Sequence, residues 1–467
     1  MNTRLDPFVV SLLDRLTGAG YACYIVGGAA RAVLDGTAAS DWDVATLATP
    51  AEVKRVFGDL DLIDKGEKHG TIGLERDGVV VEFTTLRSEA SYSDRRRPDS
   101  VTFISDINED LSRRDFTVNA FALEWPGLSI VDPFGGVKDM RKGLLRAVGD
   151  PRERFAEDAL RMMRAVRFVS ENGWTIDGRT RTAISINAHL LGRVSRERVR
   201  DELSRLLLGP HVARALAQMI DLGLMDQVIP AFARSVGYPT GSPTGDTLDE
   251  HAICVVCLVK PELLLRLAAL LHDIAKPHTL TLDESGSGHF YGHEKTGAEM
   301  ADRILEGLRY PRAVREKVRT LVREHMFFYS ATVTDAAIRR LIARAGAANV
   351  FDLIELRRAD AVASAFGARA VLPAGRGSAC AAAMRQYGER VVLQMESRVR
   401  QIFEAGQAVK GSDLAVDGHD VMEVLGIGPG PAVGEVLQEL LDRVMDDPSL
   451  NDRERLRELM RNLKTRA

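Results

Sequence analysis

The stretch that most constrains this chain runs from Gly27 to Thr46 (GGAARAVLDGTAASDWDVAT). It follows an apolar, β-prone run, Tyr21–Val26 (YACYIV), that reads as a strand. Gly27 and Gly28 then give a turn where the backbone can approach a ligand closely. Asp41–Ala45 (DWDVA) alternates in polarity and reads as a second strand. Side chains two apart on a strand share a face, so Asp41 and Asp43 stand together as paired carboxylates. Like charges this close repel unless a cation lies between them. The simplest occupant is Mg²⁺, a hard cation that prefers oxygen ligands. Paired carboxylates, Mg²⁺ and a Gly-rich turn point to phosphoryl or nucleotidyl transfer. For the dipeptides taken alone, a surface Asp-x-Asp beside an ordinary glycine loop is the competing reading.

The chain has 467 residues, enough for several domains rather than one core. Its formal net charge is only -4, so no global field draws it to nucleic acid. RNA binding must then come from local basic patches. The N-terminus reads as an amphipathic helix with Phe8, Val9, Leu12, Leu13 and Leu16 on one face, not as a signal peptide. No apolar run reaches the length of a membrane span. The four cysteines, Cys23, Cys254, Cys257 and Cys380, lie in apolar or Ala-rich surroundings, which suits reduced thiols in a cytoplasmic protein. The C-x-x-C at Cys254 and Cys257 lacks a second pair and reads as a buried helix face.

From about Tyr21 to Val148 the pattern is α/β, with further β-prone runs at Thr71–Leu74, Val79–Thr85, Ala120–Leu123 and Ser129–Val131. Glu82 is a candidate third carboxylate, or a polar residue on a strand's solvent face. Tyr92–Phe103 (YSDRRRPDSVTF) reads as a loop, since three arginines before a proline are poor candidates for burial. It is a candidate arm over a triphosphate or a plain solvated charge run. In Arg113–Ala120 (RRDFTVNA), Arg113 and Arg114 suit phosphate and Asp115 suits a ribose hydroxyl; a capped helix start at Asp115 is the alternative. Asp132–Gly136 (DPFGG) is a turn signal closing this part.

Beyond Val148 the sequence is helical almost throughout. Phe155–Val169 reads as one helix, with Asp158 and Arg161 on a common face that Arg164 and Arg167 extend in positive charge. Gly192–Leu203 gives a basic helix with Ser195 as N-cap. Ser235–Asp249, rich in Gly, Pro, Ser and Thr, is the best linker candidate. Next come His251, the pair His272–Asp273, His293, His325 and Asp360. Leu263–Leu271 is an apolar helix ending at His272, and Pro277 is expected to stop it. Imidazole with carboxylate suits a divalent transition metal such as Mn, Fe, Ni or Co. From Ser364 onward the chain is helical and charged, with turns at Val409–Gly418 and Leu425–Gly434.

These motifs carry a resemblance. VGGAARAVLDG…SDWDVAT, EDLSRRDFTVNAFA, VDPFGG, RFAEDALRMMRAVRF and RVSRERVRDEL occur in the order found in class II tRNA nucleotidyltransferases, the CCA-adding enzymes of the DNA polymerase beta superfamily. HAICVVCL…LLHDIAKP…HFYGHEKTGAEMA…REHM resembles an HD phosphohydrolase domain, and the sequence from VKGSDLAVDG to the end resembles the family's tRNA-contacting tail. Ala32 stands where the family usually has aspartate, and Asp94–Arg95 where many relatives have Asp-Gly. The resemblance implies an α+β head (1–148), a helical neck that reads the base and binds RNA (149–234), a linker (235–249), an HD domain (250–363) and a helical C-terminal tRNA-binding region (364–467). It implies catalysis by Asp41 and Asp43 on two Mg²⁺. Gly27, Gly28 and Arg31 would cradle the triphosphate, and Arg114, Asp115 and Asn119 would hold ribose and phosphates. Asp158 and Arg161 would read the base, with Arg164 and Arg167 beside them.

The implied function is template-independent addition of CCA to tRNA from CTP and ATP, with a second hydrolytic site in the HD domain. The implied protein is a cytoplasmic monomer or homodimer with no membrane partner. The alternatives are a CC-adding or A-adding enzyme or a poly(A) polymerase, an HD phosphohydrolase with a nucleotide-binding head, and an inert RNA-binding protein.

Overall fold

The computed structural model describes residues 5–39, 41–64, 67, 70–90, 100–284, 288–327, 333–372 and 379–464. The chain divides into two compact units, Met1–Pro230 and Ala231–Ala467.

The first unit opens with helix α1 (Pro7–Gly18), capped by Asp6, whose carboxylate accepts from the Phe8 amide; it buries Val9, Leu12, Leu13 and Leu16. Then follow β1 (Cys23–Val26), α2 (Gly27–Asp35), β2 (Asp41–Thr46), α3 (Pro50–Val56), β3 (Leu62–Ile63), β4 (Thr71–Arg76), β5 (Val79–Thr85), β6 (Arg87–Ala90), β7 (Ser100–Phe103), α4 (Ile107–Ser112), β8 (Ala122–Glu124), β9 (Ser129–Val131) and α5 (Gly136–Arg141). Seven strands form one mixed sheet in the order β3-β4-β5-β2-β1-β8-β9. The β2–β5 pair is parallel and its neighbours pair antiparallel. Trp42 and Val44 of β2 point into the core while Asp41 and Asp43 alternate to the open face. The register sets Asp43 opposite Glu82.

A helical part follows: β10 (Leu144–Leu145), α6 (Pro151–Glu157), α7 (Leu160–Asn172), β11 (Thr175–Ile176), α8 (Gly178–Asn187), α9 (Arg196–Leu208), α10 (Val212–Asp221) and α11 (Leu224–Val228), with β10 and β11 paired in parallel.

Two local expectations change, and two more are refined. The single helix over Phe155–Val169 is broken: α6 ends at Glu157, Asp158 is extended (φ -139°, ψ 101°), and α7 starts at Leu160. The cause is local, because the Asp158 carboxylate accepts from the Leu160 amide at 3.0 Å and competes with helical bonding. The stretch Tyr92–Phe103 is not loop throughout. Ser100–Phe103 pairs with Arg87–Ala90, as β-prone Val101, Thr102 and Phe103 favour, while 91–99, with Asp94–Arg95, lie outside the described residues. Ser195 does occupy the N-cap of α9, but its side chain makes no capping bond. Asp115 starts no α-helix; it precedes a single 3₁₀ turn at Thr117–Asn119.

The second unit is a helical bundle with two small additions. Its elements are α12 (Leu248–Leu258), α13 (Leu263–Leu271), α14 (Lys276–Thr279), β12 (Thr281–Leu282), β13 (Gly288–His289), α15 (His293–Gly307), α16 (Arg312–Glu324), α17 (Asp335–Ala345) and α18 (Val350–Phe366). Then come α19 (Ala368–Val371), α20 (Ala379–Glu404), α21 (Gly418–Leu425), α22 (Pro431–Asp446) and α23 (Arg453–Lys464). The last three helices bury a core of their own around Val421, Leu440, Val444, Leu456 and Met460. Pro277 does not end α13; it occupies the first turn of α14, where its missing N–H costs nothing. Residues 235–249 are folded, not free. Pro239 bridges Thr247, and Asp246, 3 % exposed, accepts from the Ala368 amide at 2.9 Å. Cys23, Cys254 and Cys257 form no disulfide, and Cys380 has a side chain outside the described residues. No helix among the described residues is long and apolar enough to cross a membrane.

Candidate active site and metal centre

In the first unit, a cleft of about 1010 Å³ opens over the sheet face where the central strands β2 and β5 meet the start of α2. Gly27, Gly28, Arg31, Asp41, Asp43, Glu82, Arg114, Asp115, Asn119, Asp158, Arg161, Arg164 and Arg167 all line it. Gly27 has a left-handed backbone (φ +63°), and a Cβ there would sit 2.8 Å from Asp43 Oδ2. Only glycine lets α2 start this close to the carboxylate. Among the described residues, Asp41, Asp43 and Glu82 have no ion-pair partner, although nine arginines line the same cleft. Burial pushes the Asp43 carboxyl above its ordinary value, and Asp41 adds to this against the pull of Arg114. Burial also raises Glu82, with Asp43 and Asp41 contributing. This all-oxygen, mutually repelling set fits a hard divalent cation.

The opposite wall is a network of buried ion pairs. Asp115 Oδ1 accepts from the Phe116 amide (2.8 Å) and Asn119 Nδ2 (2.9 Å), and its Oδ2 accepts from Arg164 Nε (2.7 Å). Burial alone would raise this carboxyl, but Arg164 and Asn119 outweigh it and hold Asp115 well below the usual carboxylate range. Asn119 Oδ1 accepts in turn from Arg31, whose guanidinium lies over the rings of Phe168 and Trp174, 5.4 and 5.9 Å from their centroids. Arg167 is tied to Glu202 and Glu171, each at 2.6 Å.

The RRDFTVN segment is braced from behind by the DPFGG turn. Asp132 accepts from the Gly136 and Val137 amides, and a Cβ on Gly136 would lie 1.9 Å from the Thr117 carbonyl. Asp158 and Arg161 both reach the cleft but from different frames. Asp158 accepts from Arg198 at 2.8 Å, while Arg161 donates to Glu157 (2.8 Å) and to the Arg113 carbonyl (3.2 Å).

Sequence reasoning missed three residues here. Asp110, 1 % exposed, accepts from Arg113 (2.8 Å) and Arg114 (3.1 Å) and so aims both arginines. Its i,i+3 and i,i+4 spacing to them on a short helix was the available signal. Arg198 and Trp174 gave no such signal, because their partners are distant along the chain.

In the second unit, α12, α13, α15, α16 and the middle of α18 bring His251, His272, Asp273, His293, His325 and Asp360 together. His251, His272 and Asp360 form one group of ligand atoms, and Asp273, His293 and His325 another. Asp273 touches both: Oδ2 is 3.3 Å from His272 Nε2, and Oδ1 is 3.3 Å from His293 Nε2. His272, His293 and His325 each set Nδ1 against a backbone carbonyl at 2.7–2.8 Å. A carbonyl only accepts, so Nδ1 carries the proton and a neutral ring turns the Nε2 lone pair inward. The Nε2 atoms of His293 and His325 then face each other at 3.3 Å. His251 Nε2, His272 Nε2 and Asp273 Oδ1 are buried without a hydrogen-bond partner. Converging lone pairs and orphaned acceptors, with the outer nitrogens fixed by carbonyls, fit divalent metal ions. Lys276 and Arg357 flank the set, each 2.6 Å from a carboxylate, Asp273 and Asp360 respectively.

Comparison with known proteins agrees with this geometry. Residues 23–146 match the poly A polymerase head domain, 173–235 a domain described as a probable RNA and SrmB-binding site of polymerase A, 248–365 the HD domain, and 375–460 tRNA nucleotidyltransferase domain 2. The CCA-adding enzyme of Geobacillus kaustophilus is 47 % identical over 232 residues, 49 % of this chain and 56 % of that protein. That of Lactobacillus johnsonii is 46 % identical over 234 residues, 50 % of this chain and 58 % of that protein. The matched region thus spans a little over half the length of these curated relatives. The CCA-adding enzyme of Bacillus stearothermophilus, solved in complex with CTP, superposes with a TM-score of 0.69 at 28 % identity over 99 % of both chains. The Thermotoga maritima CCA-adding enzyme, solved with tRNA, shares the fold at a TM-score of 0.56 and 20 % identity, covering 98 % of this chain and 97 % of that one. The chain thus carries, in order, a poly A polymerase head domain, an HD domain and a tRNA nucleotidyltransferase domain 2, as its CCA-adding relatives suggest.

Proposed function

We propose that this protein completes tRNA 3′ ends by adding C, C and A from CTP and ATP without a nucleic-acid template. The observation that carries this reading is a single cleft lined by both the Asp41–Asp43 carboxylates and the Asp158 and Arg161 side chains. Asp41 and Asp43, with Glu82 in register, would hold Mg²⁺, which when bound would supply Lewis-acid stabilisation of an attacking 3′-oxygen and a departing pyrophosphate. Arg31, Arg114 and the start of α2 at Gly27–Gly28 bind the triphosphate. Asp115 and Asn119 hold the ribose side. Asp158 accepts from the exocyclic amine of C or A, and Arg161 donates to the adjoining ring acceptor. U and G present a carbonyl to Asp158, leaving two buried acceptors face to face, which disfavours both. The relatives named above, one solved with CTP and one with tRNA, support the same substrates. The test uses tRNA transcripts ending before the CCA, after its first C and after both Cs, each supplied with single nucleotides. Addition of C, C and A in turn is expected; arrest after CC, addition of A alone or an untemplated A run would replace it with a partial enzyme or a poly(A) polymerase.

We further propose that the HD domain is a second, hydrolytic site. His251, His272 and Asp360, with Asp273, His293 and His325, would hold two divalent ions of the Mn, Fe, Ni or Co class. Such ions acidify water and offset phosphoester charge. Lys276 and Arg357 orient the carboxylates they touch. The substrate class is a phosphoester such as a 2′,3′-cyclic phosphate. Metal-stimulated release of phosphate or opening of the cyclic ester tests it; none with Mn²⁺, Ni²⁺, Co²⁺ or Mg²⁺ would leave a bundle without that activity.

A further inference from the structure

The segment Lys276–Gly292 joins two of the metal-binding positions, Asp273 and His293, and it exposes aromatic and apolar side chains. Tyr291 is 75 % exposed and Leu282 67 %. A further exposed apolar residue, Met326 at 51 %, directly follows His325. These side chains lie within two residues of His293 or directly beside His325 in sequence, except Leu282. Tyr291 is also ordered by its neighbour: its ring lies on that of His289 with centroids 5.4 Å apart and planes 17° apart. His289 is itself held by Asp283, with Nε2 to Oδ2 at 2.9 Å. The platform is tied to the centre. The Phe290 carbonyl accepts from His293 Nδ1 at 2.7 Å, and Lys276 Nζ spans from the Phe290 ring (5.7 Å) to Asp273 Oδ2 (2.6 Å).

We infer that the His289–Tyr291 stack is a nucleobase platform: it receives the base of a nucleotide whose phosphate is presented to the HD centre. This rests on the hydrolytic reading above and narrows its substrate class to nucleoside phosphoesters, as opposed to inorganic, sugar or alkyl phosphates. The chemistry favours a base over other apolar occupants. Two nearly parallel rings, with Tyr291 largely exposed, extend by one more flat π-system, and stacking tolerates any of the four bases. A phosphate-binding centre beside a π-face is matched by a ligand that carries both groups.

The test uses the full chain loaded with Mn²⁺ or Ni²⁺, and compares 2′,3′-cyclic AMP with methyl riboside 2′,3′-cyclic phosphate, which lacks the base. Tyr291→Ala should raise KM for cyclic AMP at least about fivefold, the low end for one stacked base. It should leave kcat and the KM of the base-free ester unchanged, and Tyr291→Phe should behave as wild type. An unchanged KM, or an equal rise for both esters, overturns the platform. A second measurement does not need turnover. In Tyr291→Trp protein grown with 5-fluorotryptophan, the added ¹⁹F resonance should shift with AMP and not with ribose 5-phosphate. No shift overturns the platform whether or not hydrolysis is seen, whereas a shift without hydrolysis overturns only the hydrolytic reading.

Discussion

Arg164 of α7 donates from Nε to Asp115 Oδ2 at 2.7 Å, and this contact joins the helical part of the first unit to the RRDFTVN segment of the head. Asp115 is 8 % exposed, so removing its cation leaves a buried charge. Arg164→Ala should destabilise the first unit by about 3–5 kcal/mol, and Asp115→Asn with Arg164→Gln should recover much of that. Urea unfolding of the three proteins checks it. The pH dependence has a definite sign. The folded carboxyl is depressed, so the pair's contribution is complete above the unfolded-chain value of about 3.9 and is lost as pH falls from there toward the folded value. Stability should therefore fall less steeply below about pH 4 in Asp115→Asn than in wild type.

Asp41→Ala and Asp43→Ala should each cut nucleotide addition by about three orders of magnitude, the scale of several kcal/mol of lost charge stabilisation. Neither should lower thermal stability, because both side chains face the open cleft and repel each other. Single-turnover addition to a tRNA ending in CC, alongside thermal melts, measures both effects. Near-normal addition by either protein would remove the pair from catalysis.

Gly27→Ala should impair the same reaction by a different route. The substitution places a Cβ in a left-handed backbone and 2.8 Å from Asp43 Oδ2. A backbone cost of about 1–2 kcal/mol is expected, together with displacement of the carboxylate. KM for CTP and kcat should worsen together, which steady-state kinetics resolves.

Asp158→Ala should lower discrimination against UTP and GTP by about tenfold or more, the worth of a buried acceptor facing an acceptor. Arg198→Ala should do so less, because Arg198 only holds Asp158, at 2.8 Å. Competition assays with all four nucleotides separate these outcomes. Equal slowing of all four, with selectivity retained, would contradict base reading by Asp158.

Asp273→Ala should abolish metal-stimulated hydrolysis and lower bound transition metal from two ions per chain toward none, since Asp273 is within 3.3 Å of ligand atoms in both groups. Nucleotide addition should persist, because the head's carboxylates belong to the other compact unit. Elemental analysis and paired activity assays check this.

The side chains that the chemistry demands were legible wherever short-range geometry decides position. Asp41 and Asp43 share a face because strands alternate, and His272–Asp273 ends an apolar helix because the apolar run stops there. What pairs with them was not legible. Glu82 could be named as a candidate third carboxylate, but its place opposite Asp43 comes from parallel pairing of strands separated by a crossover, which no local pattern encodes. Asp158 was assigned to a helix because its neighbours have helical spacing, and the aspartate's own bond to the Leu160 amide overrode that. The division of six HD residues into two groups bridged by Asp273 depends on how five helices pack, so residue types alone could suggest a metal but not its partition.

The break at Asp158 has a consequence for how one pocket can serve two letters. On a continuous helix, the separation of two side chains is set by about 3.6 residues per turn and about 1.5 Å of rise. Between Asp158 and Arg161 it is set by the torsions of an extended residue (φ -139°, ψ 101°) instead. Asp158 and Arg161 are therefore placed by two backbone frames and not by one helix. Under the proposed role, the gap offered to a base is set by the bonds of Asp158 to Leu160 and Arg198, so those contacts, rather than helix pitch, decide which base is admitted.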